Sequence, residues 1–331
     1  MNAYKIDVPV LIIFFVRDEV LQKVFDSVRQ ARPSTLLLWQ DGPRKDSPSD
    51  YEGIERCRKI VENIDWDCRV YTNYHTENMG CDPSTFLAQK WAFSLVDKCI
   101  ILEDDMVADE SFYAFCKQLL DRYEYDERIN HICGVNFFGV EEDCPDDYFF
   151  SYFGTGAWAS WRRVAQQWDD TYSFLNDEYY LRQLRMKYGE AFVSAYDTAL
   201  DRRAQKKAYW ETILGFNCML NNRLVIIPKK NLVSNIGMTP NATHGTSLRL
   251  MPKSVRKLFY MKTYSLTGSI AHPMYIVPNE DFMKRWYRLH ALGYPLLRLC
   301  RKIEYFIRCI IYGEYGRIFY AITRRFKNTC G

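Results

Sequence analysis

Apolar positions along the first 110 residues alternate between short continuous runs and helically spaced faces. Val8–Val16 is an apolar run of strand length, and Glu19–Gln30 then repeats apolar residues at Val20, Val24 and Val28. Pro33 ends that unit, and Thr35–Gln40 is a second strand running into Asp41-Gly42-Pro43-Arg44. A polar loop, Lys45–Tyr51, precedes a helix through Asn63. Cys68–Thr72 is a third strand, ending before Asn78-Met79-Gly80-Cys81, and Ser84–Leu95 is helical. The fourth strand, Cys99–Leu102, stops abruptly at Glu103-Asp104-Asp105. Repeated strand–helix units of this kind predict an α/β fold with a mainly parallel central sheet and flanking helices.

The second half is less regular. Asp109 is placed to cap a helix over Ser111–Tyr123. A strand follows over His131–Phe138, then a glycine-bearing loop, Gly154-Thr155-Gly156-Ala157-Trp158. Helices are predicted over Arg163–Gln166, Tyr179–Ala204 and Trp210–Asn221, a strand over Leu224–Pro228, and a polar stretch over Ser234–Thr246. From Tyr294 the pattern changes again. Leu296, Leu299, Ile303, Phe306, Ile307 and Ile310 fall on one helical face, with Arg298, Arg301, Lys302 and Arg308 on the other. A basic amphipathic helix rich in aromatics reads as a membrane-surface element. The alternative is a helix packed on the domain with its basic face exposed.

Composition adjusts this picture in three places. With 331 residues and 48% hydrophobic positions, the chain can bury a large core and is not of the disordered class. Eleven cysteines without a Cys-x-x-Cys pair point to free thiols, not to a zinc ribbon or a disulfide framework. The run Val8–Val16 contains Pro9 and leads into Arg17-Asp18-Glu19, so it reads as a strand and not as a secretory signal; no apolar run is long enough to span a membrane. The expectation is a cytoplasmic protein at the inner face of the cell membrane. Charge is uneven: residues 284–331 carry 11 Lys and Arg against 2 Glu, or +9, so a chain total of +3 leaves 3 − 9 = −6 for residues 1–283. No nucleic-acid motif accompanies the basic tail, and no nucleic-acid partner is expected.

The absent motifs narrow the chemistry. There is no Gly-x-Gly-x-x-Gly after the first strand and no Gly-x-x-x-x-Gly-Lys-Ser/Thr loop. Instead, polar groups close successive strands: Arg17 after the first, Asp41 after the second, Glu103–Asp105 after the fourth. Open α/β sheets bind ligands beyond their strand C-termini. Three adjacent carboxylates there call for a cation, and hard oxygen ligands suit Mg²⁺ or Mn²⁺ carrying a phosphate-rich ligand. The plainer alternative is a solvated turn before the Asp109-capped helix. Asp41 and Asp104 would grip the base and ribose of a nucleoside diphosphate, with Asp105 on the metal; Asp-Gly-Pro is also an ordinary turn.

These residues, in this order, resemble the GT-A class of nucleotide-sugar glycosyltransferases, in particular a bacterial branch allied to family 2. The Glu-Asp-Asp motif is similar to that of the N-acetylglucosaminyltransferase I-like enzymes. The resemblance rests on Phe15–Arg17, Asp41–Arg44, Asn78–Gly80, Ile101–Asp105, Gly156–Arg163, Trp210-Glu211, Asn231–Gly237 and Ala242–His244, and covers about residues 8–250. It implies a metal-dependent transfer of sugar from a nucleoside-diphosphate sugar to a glycan or lipid-linked acceptor. Asp105 and His244 would bind the metal (Mn²⁺ or Mg²⁺), and Arg17, Asp41, Glu103 and Asp104 the donor. Gly156, Trp158 and Trp210 would bind the acceptor, with Trp158 stacking on a sugar ring. Glu211, at the start of a helix, is the candidate base for an inverting transfer; related chains usually have Asp there. The domain reading is a nucleotide-sugar half (1–125), an acceptor half of the same domain (126–283) and a basic helical tail (284–331).

Two rivals stand beside this reading. One is a non-catalytic nucleotide-sugar or glycan-binding module of the same fold. The other is a sugar-phosphate nucleotidyltransferase, whose Gly-rich loop after the first strand Phe15-Val16-Arg17-Asp18-Glu19 lacks.

Overall fold

The computed structural model describes residues 2–239 and 248–318. Its first half runs β1 (Val10–Phe14), α1 (Asp18–Ala31), β2 (Thr35–Gln40), α2 (Ser49–Val61), β3 (Arg69–Tyr74), α3 (Cys81–Leu95), β4 (Lys98–Glu103), β5 (Met106–Ala108) and α4 (Glu110–Arg122). Then come β6 (Ile129–Cys133), β7 (Tyr148–Ser151), β8 (Trp158–Trp161), α5 (Arg162–Ala165), α6 (Glu178–Tyr188), α7 (Glu190–Ala204) and α8 (Trp210–Leu220). The remainder is β9 (Leu224–Pro228), β10 (Val233–Asn235), α9 (Lys253–Arg256), α10 (Glu280–Leu289) and α11 (Pro295–Ile311).

Eight strands form one sheet in the order β3-β2-β1-β4-β8-β6-β9-β7. β3, β2, β1 and β4 are mutually parallel, β8 runs antiparallel between β4 and β6, β9 is parallel to β6, and β7 closes the edge antiparallel to β9. The mixed, mainly parallel sheet with flanking helices is the architecture the sequence predicted. Its central strands are buried on both faces, which is why they read as unbroken apolar runs. Along β1, Val10, Ile12 and Phe14 face the layer of α1, α2 and α4, while Leu11 and Ile13 face that of α3, α7 and α8.

Several local expectations change. The helix predicted over 179–204 is two helices, broken at Gly189, whose φ of +53° an L-residue adopts only with strain. Residues 134–138 are not part of β6, and β5, β7, β8 and β10 form where no strand was expected. Asp109 does cap α4, its Oδ1 accepting from the Ser111 N–H at 2.9 Å. All described cysteines are free thiols. Among the described residues no helix is long and apolar enough to cross a membrane.

Helix α11 is mounted inside out. Its apolar row Leu296, Leu299, Ile303, Phe306, Ile307 and Ile310 faces solvent, while Arg301 donates to the Leu289 carbonyl and Arg308 to that of Arg249. Of the predicted basic face, Arg298 and Lys302 are exposed, while Arg301 and Arg308 are partly buried.

A buried histidine in β6 makes stability depend on pH. His131 Nε2 lies 2.9 Å from the Gly154 carbonyl and Nδ1 lies 3.1 Å from the Asn130 side-chain amide, a pairing that suits the neutral ring. Burial pushes its pKa down to about 4 from an ordinary 6.5. The unfolded chain therefore takes up the proton first, and stability falls as pH drops through the window from 6.5 to 4. Between pH 7 and pH 5 this group is expected to cost about 2 kcal/mol, seen as a shift in urea midpoint. A His131→Gln variant should show a correspondingly flatter pH dependence.

Candidate active site

The chain runs β1, β2, β3 outward to one edge and then returns to place β4 on the other side of β1. Between the C-terminal ends of β1 and β4 the strand order reverses, which opens a crevice in a sheet of this kind. Arg17, leaving β1, and Glu103-Asp104-Asp105, leaving β4, meet there.

The cation among these carboxylates is Arg17. Its guanidinium grips Asp104 through Nε and Nη2, and Nη2 also donates to Asp105 Oδ2 at 2.9 Å. Nη1 donates to the Gly237 carbonyl at 3.2 Å, tying in the segment after β10. Burial opposes the guanidinium charge, but Asp104 and Asp105 more than offset it and hold the Arg17 pKa above its ordinary value. Asp104 is raised above the usual carboxylate range, because burial outweighs the help of Arg17. Glu103 is raised further by burial and by the carboxylates of Asp105, Glu211 and Asp104.

Glu211 therefore bears electrostatically on the same cluster. It lies in the first turn of α8, and Tyr209 donates to its Oε2 at 2.8 Å. Both residues line a cavity of about 470 Å³ that Arg202, Thr198, Trp286 and His290 also border. Arg202 stacks over the Tyr209 ring at 4.5 Å, pairs with Asp82 at 3.1 Å, and keeps a buried Nε without a hydrogen-bond partner. Tyr209, Arg202 and Gly237 were given no site role from the sequence: Tyr209 acts on its near neighbour Glu211, Arg202 pairs with the distant Asp82, and Gly237 acts by the absence of a side chain.

Gly237 is a steric requirement. A Cβ at this position would lie 1.9 Å from Asp105 Oδ2. Gly237→Ala is expected to displace the Asp105 carboxylate from Arg17, at a stability cost on the order of 1–3 kcal/mol measurable by urea denaturation. An unchanged midpoint would show that Asp105 relaxes freely.

Other expected site residues fall elsewhere. Asp41 accepts from the backbone N–H groups of Gly42 and Met79 (2.9 Å each) and Gly80 (3.1 Å), and from the Asn78 side chain at 3.1 Å. A carboxylate has about four acceptor positions, so these bonds occupy Asp41 in joining the β2 loop to the start of α3. Trp158 is 1% exposed and stacks on Trp210 at 5.8 Å and 7°. Both indoles belong to the core and offer no open face to an acceptor sugar. Gly156 has φ +121°, and a Cβ there would meet Val135 at 2.5 Å, so its close approach is to protein. His244 lies outside the described residues.

Among the described residues no three carboxylate, histidine or cysteine side chains form a ready-made metal cage. The donor set nevertheless suits a hard cation. Arg17 is one positive charge against the acids of Glu103, Asp104 and Asp105, and all their donor atoms are oxygen. Mg²⁺ is commonly held by one or two carboxylates, with substrate phosphates completing its shell.

No family model and no curated protein matches this chain. Solved structures with some likeness include a UDP-glucose pyrophosphorylase complexed with UDP-glucose: 7% identity, 68% of this chain and 91% of that one, TM-score 0.33. A 4-diphosphocytidyl-2C-methyl-D-erythritol synthase from Anaerococcus prevotii DSM 20548 is 12% identical over 52% of this chain and 78% of that one, TM-score 0.29. The glycosyltransferase GlyE in Streptococcus pneumoniae TIGR4 is 12% identical over 56% of this chain and 40% of that one, TM-score 0.28.

Proposed function

We propose that this chain is a glycosyltransferase that moves a sugar from a nucleoside-diphosphate sugar to a hydroxyl of a glycan or lipid-linked acceptor. The observation that carries the reading is the meeting of Arg17 with Asp104 and Asp105 where the strand order reverses. The diphosphate would lie along this crevice, its negative charge facing Arg17. Asp105, with Glu103 beside it, would hold a divalent cation, Mn²⁺ or Mg²⁺. Such a cation supplies charge neutralisation and orientation of the leaving diphosphate.

Glu211 acts as the base. Its carboxylate, oriented by the Tyr209 hydroxyl, takes the proton of the acceptor hydroxyl as that oxygen bonds to the anomeric carbon. The bond from the anomeric carbon to the diphosphate oxygen breaks, and the nucleoside diphosphate leaves. Attack opposite the leaving group inverts the anomeric centre. The cavity beside Glu211 offers the acceptor both aromatic walls and the Arg202 guanidinium.

Arg17 also supports a second reading. An arginine directly after β1, aimed at acids after β4, would equally suit a nucleotidyltransferase that joins a nucleoside triphosphate to a sugar phosphate. One experiment separates the two. Release of nucleoside diphosphate from a panel of nucleotide sugars in Mn²⁺ supports transfer to acceptor or water. Release of pyrophosphate from a nucleoside triphosphate plus sugar 1-phosphate, with no such turnover, overturns it.

A further inference from the structure

We infer that α11 seats this protein on an anionic lipid surface, through the apolar face it turns outward. In a soluble globular fold an amphipathic helix buries its apolar stripe against the core. Here the apolar stripe is turned to solvent instead. Leu296 is 76% exposed and Ile303 50%, and Leu299, Phe306, Ile307 and Ile310 complete the same row. The inward face is held by polar contacts: Arg301 to the Leu289 carbonyl at 2.7 Å, Arg308 to the Arg249 carbonyl at 3.3 Å, and Glu304 accepting from the Lys253 N–H at 2.9 Å. Cys309 is the residue of this helix that is fully buried. The outward orientation is thus fixed by specific bonds.

Charge identifies the occupant as anionic lipid. Residues 284–331 carry +9 on a chain whose remainder sums to −6. Arg298 and Lys302 are exposed on α11, and beyond the described residues the sequence adds Arg324, Arg325 and Lys327. A row of Leu, Ile and Phe flanked by Arg and Lys suits an acyl boundary beneath anionic headgroups. Exposed Tyr294 and Tyr312 bracket the helix, as aromatic side chains do at an interface. At 17 residues, α11 lies on such a surface and does not span it. Residues 290–294 join it to α10, which supplies Trp286 to the cavity beside Glu211, so a lipid-seated α11 would hold that cavity close to the membrane. The binding itself does not depend on the proposed transfer reaction.

The test is flotation of the full chain with phosphatidylcholine vesicles, with and without about one third phosphatidylglycerol. The wild-type protein is expected to float with the anionic vesicles, less with neutral ones, and less at high salt. Ile303→Asp and Ile307→Asp replace exposed side chains, so both variants should keep the wild-type circular dichroism and melting midpoint. Each is expected to lower vesicle partitioning about tenfold or more. Equal flotation of wild type and variants would overturn the inference. So would a wild-type protein that does not float, or one that sediments as a dimer dissolved by these substitutions without binding vesicles, since a second copy would then cover the face.

Discussion

Replacing Glu211 by glutamine is expected to lower the rate of sugar transfer by about 10²–10⁴-fold, the usual contribution of a positioned general base. Glutamine keeps the length of the side chain and an oxygen that accepts from Tyr209, now 2.8 Å from Oε2, but cannot take up the acceptor proton. Because the substitution removes one carboxylate charge and leaves the Arg17, Asp104 and Asp105 pairing in place, nucleotide affinity should change little. Steady-state kinetics check this: kcat falls while nucleotide inhibition constants stay within a factor of about two. A variant with full turnover would remove Glu211 from the mechanism. A Tyr209→Phe variant, which loses the hydroxyl that orients Glu211, should lose less, because the carboxylate itself remains.

The second large effect is expected for Asp105→Ala. This carboxylate is bonded to Arg17, sits against Gly237 and is the expected metal ligand. Its removal should abolish the Mn²⁺ dependence of nucleotide binding and reduce transfer by at least about 10³-fold, several kcal/mol of charge stabilisation. Asp105 is partly exposed, and β4 is anchored by Ile100, Ile101 and Leu102, so the fold should persist with an unchanged far-UV spectrum. Calorimetric titration of a nucleoside diphosphate, with and without Mn²⁺, reads the effect. Retained metal-dependent binding would place the cation elsewhere.

The parts of the fold legible in the sequence are those whose identity is local. β2 and β9 carry continuous apolar runs because both faces are buried, and their limits were predicted to the residue. β8 was not legible: Trp158–Trp161 follows a glycine-bearing loop, and only pairing with β4 and β6 makes it a strand. The three-residue pair β5–β10 depends on a contact between segments over a hundred residues apart.

The site divides in the same way. A run of carboxylates after a buried strand could be recognised because burying charge needs a partner. The partner's identity could not, since Arg17 reaches Asp104 across 87 positions of sequence. For Asp41 and Trp158 the limit is physical: a residue's type declares what it can bond or stack with, but not whether its own neighbours already use that capacity. Asp41 spends it on the loop at Asn78–Gly80, and Trp158 on Trp210.

The most direct measurement on the donor site is the thermal midpoint of the purified chain with UDP, GDP, dTDP or CMP, each in Mn²⁺ and in EDTA. A ligand at one hundred times its dissociation constant stabilises by about 2.7 kcal/mol, a shift of a few degrees for a domain of this size. The predicted result is stabilisation by one nucleoside diphosphate in Mn²⁺, lost in EDTA and lost in Asp105→Ala. A folded protein whose midpoint none of the four nucleotides moves, with or without metal, would contradict a nucleotide-sugar site between β1 and β4.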